Sequence, residues 1–423
     1  MKNRIIKLVF FFISFSFSQG NMNAIGLGKF YKNQGVYNAM DGVNTLASSI
    51  LRNVNFSNPS TWHNLKFTYL SLSYSADHTS FENSSLVNTY SGLSNALWVI
   101  PMKSKYSIGL SISPYINQKV SLVEQDTISF IAFEDTLNIS RSFKRSGGLL
   151  SLNIGSSYKF SQKISLGILA NVLFGSSRQS EFVKFSGSNI IQTTRSRYNG
   201  FIGNFFFSMN FSNEIALYSS FKKTLKPVEN AQLDKHLFDD ANSNGFHDWS
   251  SPYFDFPFPD SVTSFSEYRI SDVHNPVGFQ LGVSKLLNKN WSYAFEWSFE
   301  VDNSKELKDL DFPLNNWIYK TNSFKTSFSR FANPLSLSIF DKISIRSGLQ
   351  YSSYILGDSE KVIQEYGCSI GSGYKFKSVG NQIDLNFCFG YRNYPNNSSR
   401  EFYQQLQMST SLADIWFIKR RQK

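Results

Sequence analysis

The sequence predicts an all-β fold, a transmembrane antiparallel β-barrel of about fourteen strands with an N-terminal plug segment. Three observations carry this. Apolar or aromatic residues alternate with small or polar ones at period two along most of the chain. The alternating segments run for roughly 11 to 16 residues, against the five or six usual in soluble sheets. Their connections alternate between tight turns and long excursions, as between the two ends of a membrane barrel.

Composition agrees. Of 423 residues, 41 are Phe and 21 are Tyr, while charged residues make up 17%, which is too aromatic and too weakly charged for a disordered chain. Beyond the N-terminus no stretch approaches the roughly 18 apolar residues of a membrane helix, so a helical membrane protein is excluded. Lys2, Arg4 and Lys7 precede the apolar run Leu8 to Phe17, the pattern of a secretory signal peptide covering residues 1–18 and cleaved before Gln19. Residues 19–63 are then the plug and 64–423 the barrel. The formal charge of +11 is scattered apart from the tail Lys419 to Lys423, and this argues against a nucleic-acid partner.

The expected strands are 64–76, 89–102, 105–117, 145–160, 163–175, 197–211, 214–225, 275–287, 290–302, 321–332, 343–356, 361–376, 381–393 and 401–417. The clearest is 290–302, where Trp291, Tyr293, Phe295, Trp297 and Phe299 alternate with Ser292, Ala294, Glu296, Ser298 and Glu300. A helix would scatter the two sets around its circumference, whereas a strand puts them on opposite faces. Ile164 to Phe174 and Ile383 to Tyr391 repeat the pattern. A soluble sandwich or propeller would alternate too. The strand lengths, and aromatic residues such as Trp98, Trp291 and Trp416 near strand ends, favour the membrane. Tight turns fall at 103–104, 161–162, 212–213 and 288–289, on the periplasmic side with both termini. Long loops 118–144, 176–196 and 226–274 then lie outside. The connection 333–342 breaks the alternation.

Ahead of the first strand stand Gly26-Leu27-Gly28, Gly35, Gly42 and Phe56-Ser57-Asn58-Pro59-Ser60-Thr61-Trp62; later come Ala96 to Pro101, Tyr106 to Leu110, Ser113-Pro114-Tyr115 and Ser411 to Phe417. With these the chain resembles a divergent branch of the FadL-type outer-membrane transporters for hydrophobic compounds. In that family a Gly-rich plug ends in an Asn-Pro-Ala-like motif before strand one of a fourteen-stranded barrel. The resemblance implies residence in the outer membrane of a Gram-negative bacterium, surrounded by outer-membrane lipid. It also implies passive uptake of a fatty-acid-like hydrophobic ligand, with Asn58, Pro59 and Trp62 as plug motif. Ser60 stands where the family has Ala. A related branch of FadL-like barrels assists secretion, so the alternative is a non-transporting scaffold or shuttle whose long loops bind an exported protein.

No enzymatic chemistry is expected. Gly367-Cys368-Ser369-Ile370-Gly371 satisfies G-x-S-x-G, yet it lies within an alternating strand and the last His, His274, is upstream of it. The five His residues show no paired ligand spacing. By parity Cys368 faces lipid and Cys388 the lumen, which argues against a disulfide. Glu296 and Glu300 share the lumen face about 13 Å apart, beyond the reach of a glycosidase pair. They are expected to pair with inward Lys325, Arg346 and Arg392 on later strands. The one candidate cofactor is calcium in loop 226–274, where Asp240, Asn242, Asn244 and Asp248 take relative positions 1, 3, 5 and 9 with Gly245 at 6. An Asn/Ser/Gly-rich surface turn favours the same residue types.

Overall fold

The computed structural model describes residues 21–31, 44–47, 55–81, 87–103, 105–123, 128–132, 135–185, 188–238, 265–288, 290–310, 312, 316–333, 336–357, 361–375, 381–395 and 400–414. The expected signal peptide, the calcium candidates Asp240, Asn242, Asn244 and Asp248, and the basic tail lie outside the described residues.

Fourteen strands form the closed antiparallel barrel. In chain order they are β1 Thr68–Phe81, β2 Val87–Lys103, β3 Tyr106–Asn117, β4 Asp135–Lys159, β5 Ile164–Phe185, β6 Ser188–Asn210 and β7 Ile215–Phe238. The second half comprises β8 Pro276–Asn288, β9 Trp291–Asp302, β10 Ile318–Arg330, β11 Ile343–Leu356, β12 Val362–Lys375, β13 Gln382–Asn393 and β14 Arg400–Asp414. Each pairs with its neighbours in sequence, and β14 closes on β1 with Asp414 opposite Thr68 and Glu401 opposite Phe81.

The expected faces hold along these strands. On β5, Leu166, Ile168, Val172 and Phe174 point outward and are exposed, while Ser165, Asn171 and Leu173 point inward and are buried. The inner wall is rich in serine: Ser71, Ser73, Ser75, Ser107, Ser151 and Ser157 are all buried. Outward aromatic residues gather at both ends. Tyr351, Tyr366, Tyr391 and Phe402 run side by side across β11 to β14, and at the short-turn end Trp291 stacks on Phe328 at 4.7 Å.

Two expectations are corrected. The first strand begins at Thr68 rather than 64, because a 3-10 helix, Pro59–Asn64, occupies the approach. The segments 118–144, 176–196 and 226–274, expected as loops, are largely paired where they are described. β4 to β7 run for 25, 22, 23 and 24 residues and rise well above the other strands as a four-stranded wall. β3 is continued against β4 by short strands Val120–Val123 and Ile128–Ala132, and Phe265–His274 continues β8 against the upper part of β7. Above the apolar band both faces of a strand carry Ser, Thr, Arg and Gln, so hydrophobic alternation falls silent while the backbone ladder continues. The connection after β10 is tied back to that strand: Asp341 accepts from Arg330 at 3.0 Å and from Ser336 Oγ at 2.9 Å.

Candidate functional site: the plug and its seat

The described parts of the N-terminal segment lie inside the barrel and are held at three places. The first is the Asn-Pro motif. Asn58 caps the 3-10 helix, its Oδ1 accepting from the Ser60 N–H at 3.1 Å, and Pro59 supplies a backbone angle suited to the first helical position. The Asn58 amide also donates to the Leu46 carbonyl at 2.8 Å and so ties two parts of the plug together. Trp62, 2% exposed, is pressed against the wall of β3 and β4. Its seat exists because two inward positions that face each other across the ladder, Gly109 and Gly155, are glycines. A Cβ at either would lie 2.5 or 2.6 Å from the indole. Gly167 on β5 receives the backbone at Pro59 and Ser60 in the same way, with a hypothetical Cβ 2.4 Å from the Ser60 nitrogen. Phe56, Leu97 and Val99 complete the apolar packing around Trp62.

Beside it, the His63 Nδ1–H donates to the Ser60 carbonyl at 2.8 Å and Nε2 accepts from Ser165 Oγ at 3.2 Å. Burial, with a smaller contribution from the Lys159 charge, pulls the pKa of His63 down to about 4. The ring is therefore neutral at ordinary pH.

The second attachment is electrostatic. Glu296 points inward from β9 and is 4% exposed. Its carboxylate accepts from three consecutive plug amides, Thr45 at 2.9 Å and Leu46 and Ala47 at 2.6 Å each. Lys325 stands opposite it on β10, with Nζ 3.5 Å from Thr45 Oγ1, and Asn44 donates to Ser327 Oγ at 2.7 Å. A buried charge needs a counter-charge and hydrogen bonds, and the plug supplies the latter.

The third attachment is the N-terminal arm. Lys29–Phe30 pairs with Ile116 and Asn117 of β3, Gly26 accepts from Arg145 at 2.8 Å, and Lys29 bridges to Asp77 at 3.2 Å. Gly28 adopts φ 107°, and the Asn117 carbonyl lies 2.3 Å from where a Cβ would stand. Leu27 and Phe30 then pack into an apolar cluster with Ile116, Leu149, Leu173 and Ile202. Phe30 also lies 5.0 Å from the ring of His274, which bridges Asp302 at 2.5 Å and the Tyr115 hydroxyl at 3.0 Å.

The expected pairing of the lumen charges is corrected in part: Lys325 does stand opposite Glu296, whereas the other charges find different partners. Glu300 pairs with Lys222 at 2.8 Å, on an earlier strand. Arg346 pairs with Asp384, and Arg392 with Glu365 at 2.6 Å and Glu401 at 3.5 Å. Parity gives each residue its face, but strand register, which sets Lys222 and Glu300 on either side of Gly278, and the plug choose the partner. A cavity of about 280 Å³ remains inside, and Lys29, Asp77, Lys222, Glu300, Lys325 and Arg392 contribute to its wall. Its wall is mixed, because these charged residues stand among Phe30, Leu169, Ile202, Phe206, Phe279 and Phe299. Sequence reasoning missed the glycine seat and the acceptor role of Glu296. Glycines at inward positions of otherwise regular strands were the available signal for the seat. Gly367 to Gly371 lies within β12, where no strand-to-helix elbow forms.

The fold is shared with solved outer-membrane channels. A FadL homologue of Pseudomonas aeruginosa superposes with a TM-score of 0.57 at 12% identity, over 92% of this chain and 99% of that one. The Pseudomonas putida toluene transporter TodX gives 0.52 at 12% identity, over 95% and 99%. No curated protein matches the chain. At such identities the likeness to FadL is one of fold, and the family by sequence is a different one: the BamG family model matches residues 1–423, so the chain belongs to the BamG family.

Proposed function

We propose that this protein is a plugged, non-transporting barrel of the outer membrane that serves as a scaffold for the assembly or delivery of exported proteins, in a Bam-associated role. The observation that carries this reading is the buried attachment of the plug. A carboxylate accepting three plug amides, a glycine-seated tryptophan and a paired N-terminal arm hold the described parts of the plug in the lumen, which supports an occluded barrel. Membership of the BamG family supports the same reading. The wall formed by the upper parts of β4 to β7 offers a surface for a protein partner. Depletion of the protein tests the proposal: the outer-membrane content of other barrel proteins should fall. Unchanged barrel content together with lost uptake of a labelled hydrophobic compound would overturn it.

That second reading, passive uptake of a hydrophobic small molecule, draws on the fold shared with a toluene transporter. It requires the plug to release Glu296, whose buried carboxylate would lose its three amide donors.

A further inference from the structure

The outward face of the projecting wall carries a cluster of cations just above the apolar band. On β5 the outward residues from Ile164 to Phe174 span about 34 Å along the strand, or about 25 Å of membrane height once tilted. The next outward positions change character abruptly. In the first row above Phe174, Arg197 of β6 lies opposite Ser176 of β5; in the second, Arg178 of β5 lies directly opposite Arg195 of β6. Lys144 of β4, opposite Ser180, begins the third row. All four cations are exposed.

Residues directly opposite in an antiparallel pair have Cα atoms about 5 Å apart, and like charges there are destabilising. Among the described residues, the nearby carboxylates do not relieve this. Glu181 is paired with Arg141, Glu229 with Lys226 at 3.2 Å, and Glu267 stands beyond Leu233, about 10 Å from Arg195 and beside Arg269. Three arginines thus share neighbouring register positions at the height where the headgroups of a surrounding lipid leaflet would begin, over Leu150 and Phe174, which would contact its acyl chains. Planar guanidiniums suit bidentate binding of phosphate.

We propose that Arg178, Arg195 and Arg197, with Lys144, form a binding site for the phosphorylated sugar headgroup of an outer-leaflet glycolipid of the lipid A type. The bound phosphate neutralises the Arg178/Arg195 opposition while the acyl chains lie along the outward face of β4 to β6. The site takes its orientation from the outer-membrane placement proposed above, but its chemistry can be measured on purified protein without reference to that placement or to the scaffold role.

The test is native mass spectrometry of the full chain in mild detergent, titrated with bisphosphorylated lipid A, monophosphorylated lipid A or phosphatidylethanolamine. Bisphosphorylated lipid A should bind best. The triple change R178A/R195A/R197A should weaken it at least about tenfold, while R178K/R195K/R197K keeps part of the affinity. Heat-modifiable migration on gels shows whether each variant is folded. If the alanine variant does not fold, salt titration of the unaltered protein decides: phosphate binding must weaken as salt rises. Equal binding of all three lipids, affinity unchanged in the folded alanine variant, salt-independent binding, or displacement by millimolar inorganic phosphate would each overturn the proposal. The last would mark a free-anion site instead.

Discussion

Glu296 and Lys325 stand directly opposite each other on β9 and β10, 4% and 5% exposed, and the glutamate carboxylate lies within hydrogen-bonding distance of three plug amides. The pair therefore couples the wall of the barrel to its occlusion. Replacing Glu296 by Gln removes the acceptor charge and leaves the lysine buried beside a neutral partner. A loss of about 3–5 kcal/mol is expected, concentrated in plug attachment. Planar-bilayer recordings should show larger or more frequent openings in E296Q, and the double variant E296Q/K325M should recover part of the closed state. Conductance equal to that of the unaltered protein would show that the plug holds without this contact.

The seat of Trp62 makes a second prediction. Gly109→Ala or Gly155→Ala places a methyl group within 2.6 Å of the indole. The tryptophan must move, at about 1–3 kcal/mol. A smaller side chain at 62 should relieve the strain, so W62L should restore the thermal midpoint lost in G109A. Failure of that rescue would mean that the glycines serve the strand and not the plug.

His63 sets a pH dependence. Its pKa is about 4 in the folded chain and near 6.5 when free, so the released plug binds more protons between these values. Attachment is accordingly strongest above about pH 6.5 and weakens as pH falls toward 4, by up to about 3 kcal/mol. Protease sensitivity of the plug measured from pH 7 to pH 4.5 should rise, and should rise less in H63Q. A plug that becomes more protected on acidification would contradict the neutral tautomer.

On the outward face of β9, Phe295→Arg places a charge in lipid and should cost about 2–4 kcal/mol near the midplane. Urea-dependent folding into lipid vesicles measures it. A neutral result would mean that this face is not lipid-exposed.

Sidedness is checked by cysteine labelling on intact cells. A reagent that does not cross the membrane should modify Ser180→Cys, high on the projecting wall, and spare Ser212→Cys in the turn between β6 and β7. The opposite pattern would invert the orientation.

The alternation around Trp291 to Asp302 was sufficient to locate β9 and both its faces, and similar patterns located the membrane-crossing parts of the other strands. This works because lipid and lumen impose period two on neighbouring residues, a local constraint written into the order of side chains. Asn58-Pro59 was legible for the same reason, since its cap and turn are formed within a few residues. Where both faces of a strand meet polar surroundings, as from Ser176 onward in β5, the constraint vanishes and the continued ladder could not be read. Nor could parity choose partners. Glu296 lies some 250 residues from the amides it accepts from, and Gly109 and Gly155 make sense only once Trp62 rests on both. Those relationships depend on strand register and on the path of the plug through the closed barrel, which only the tertiary structure decides.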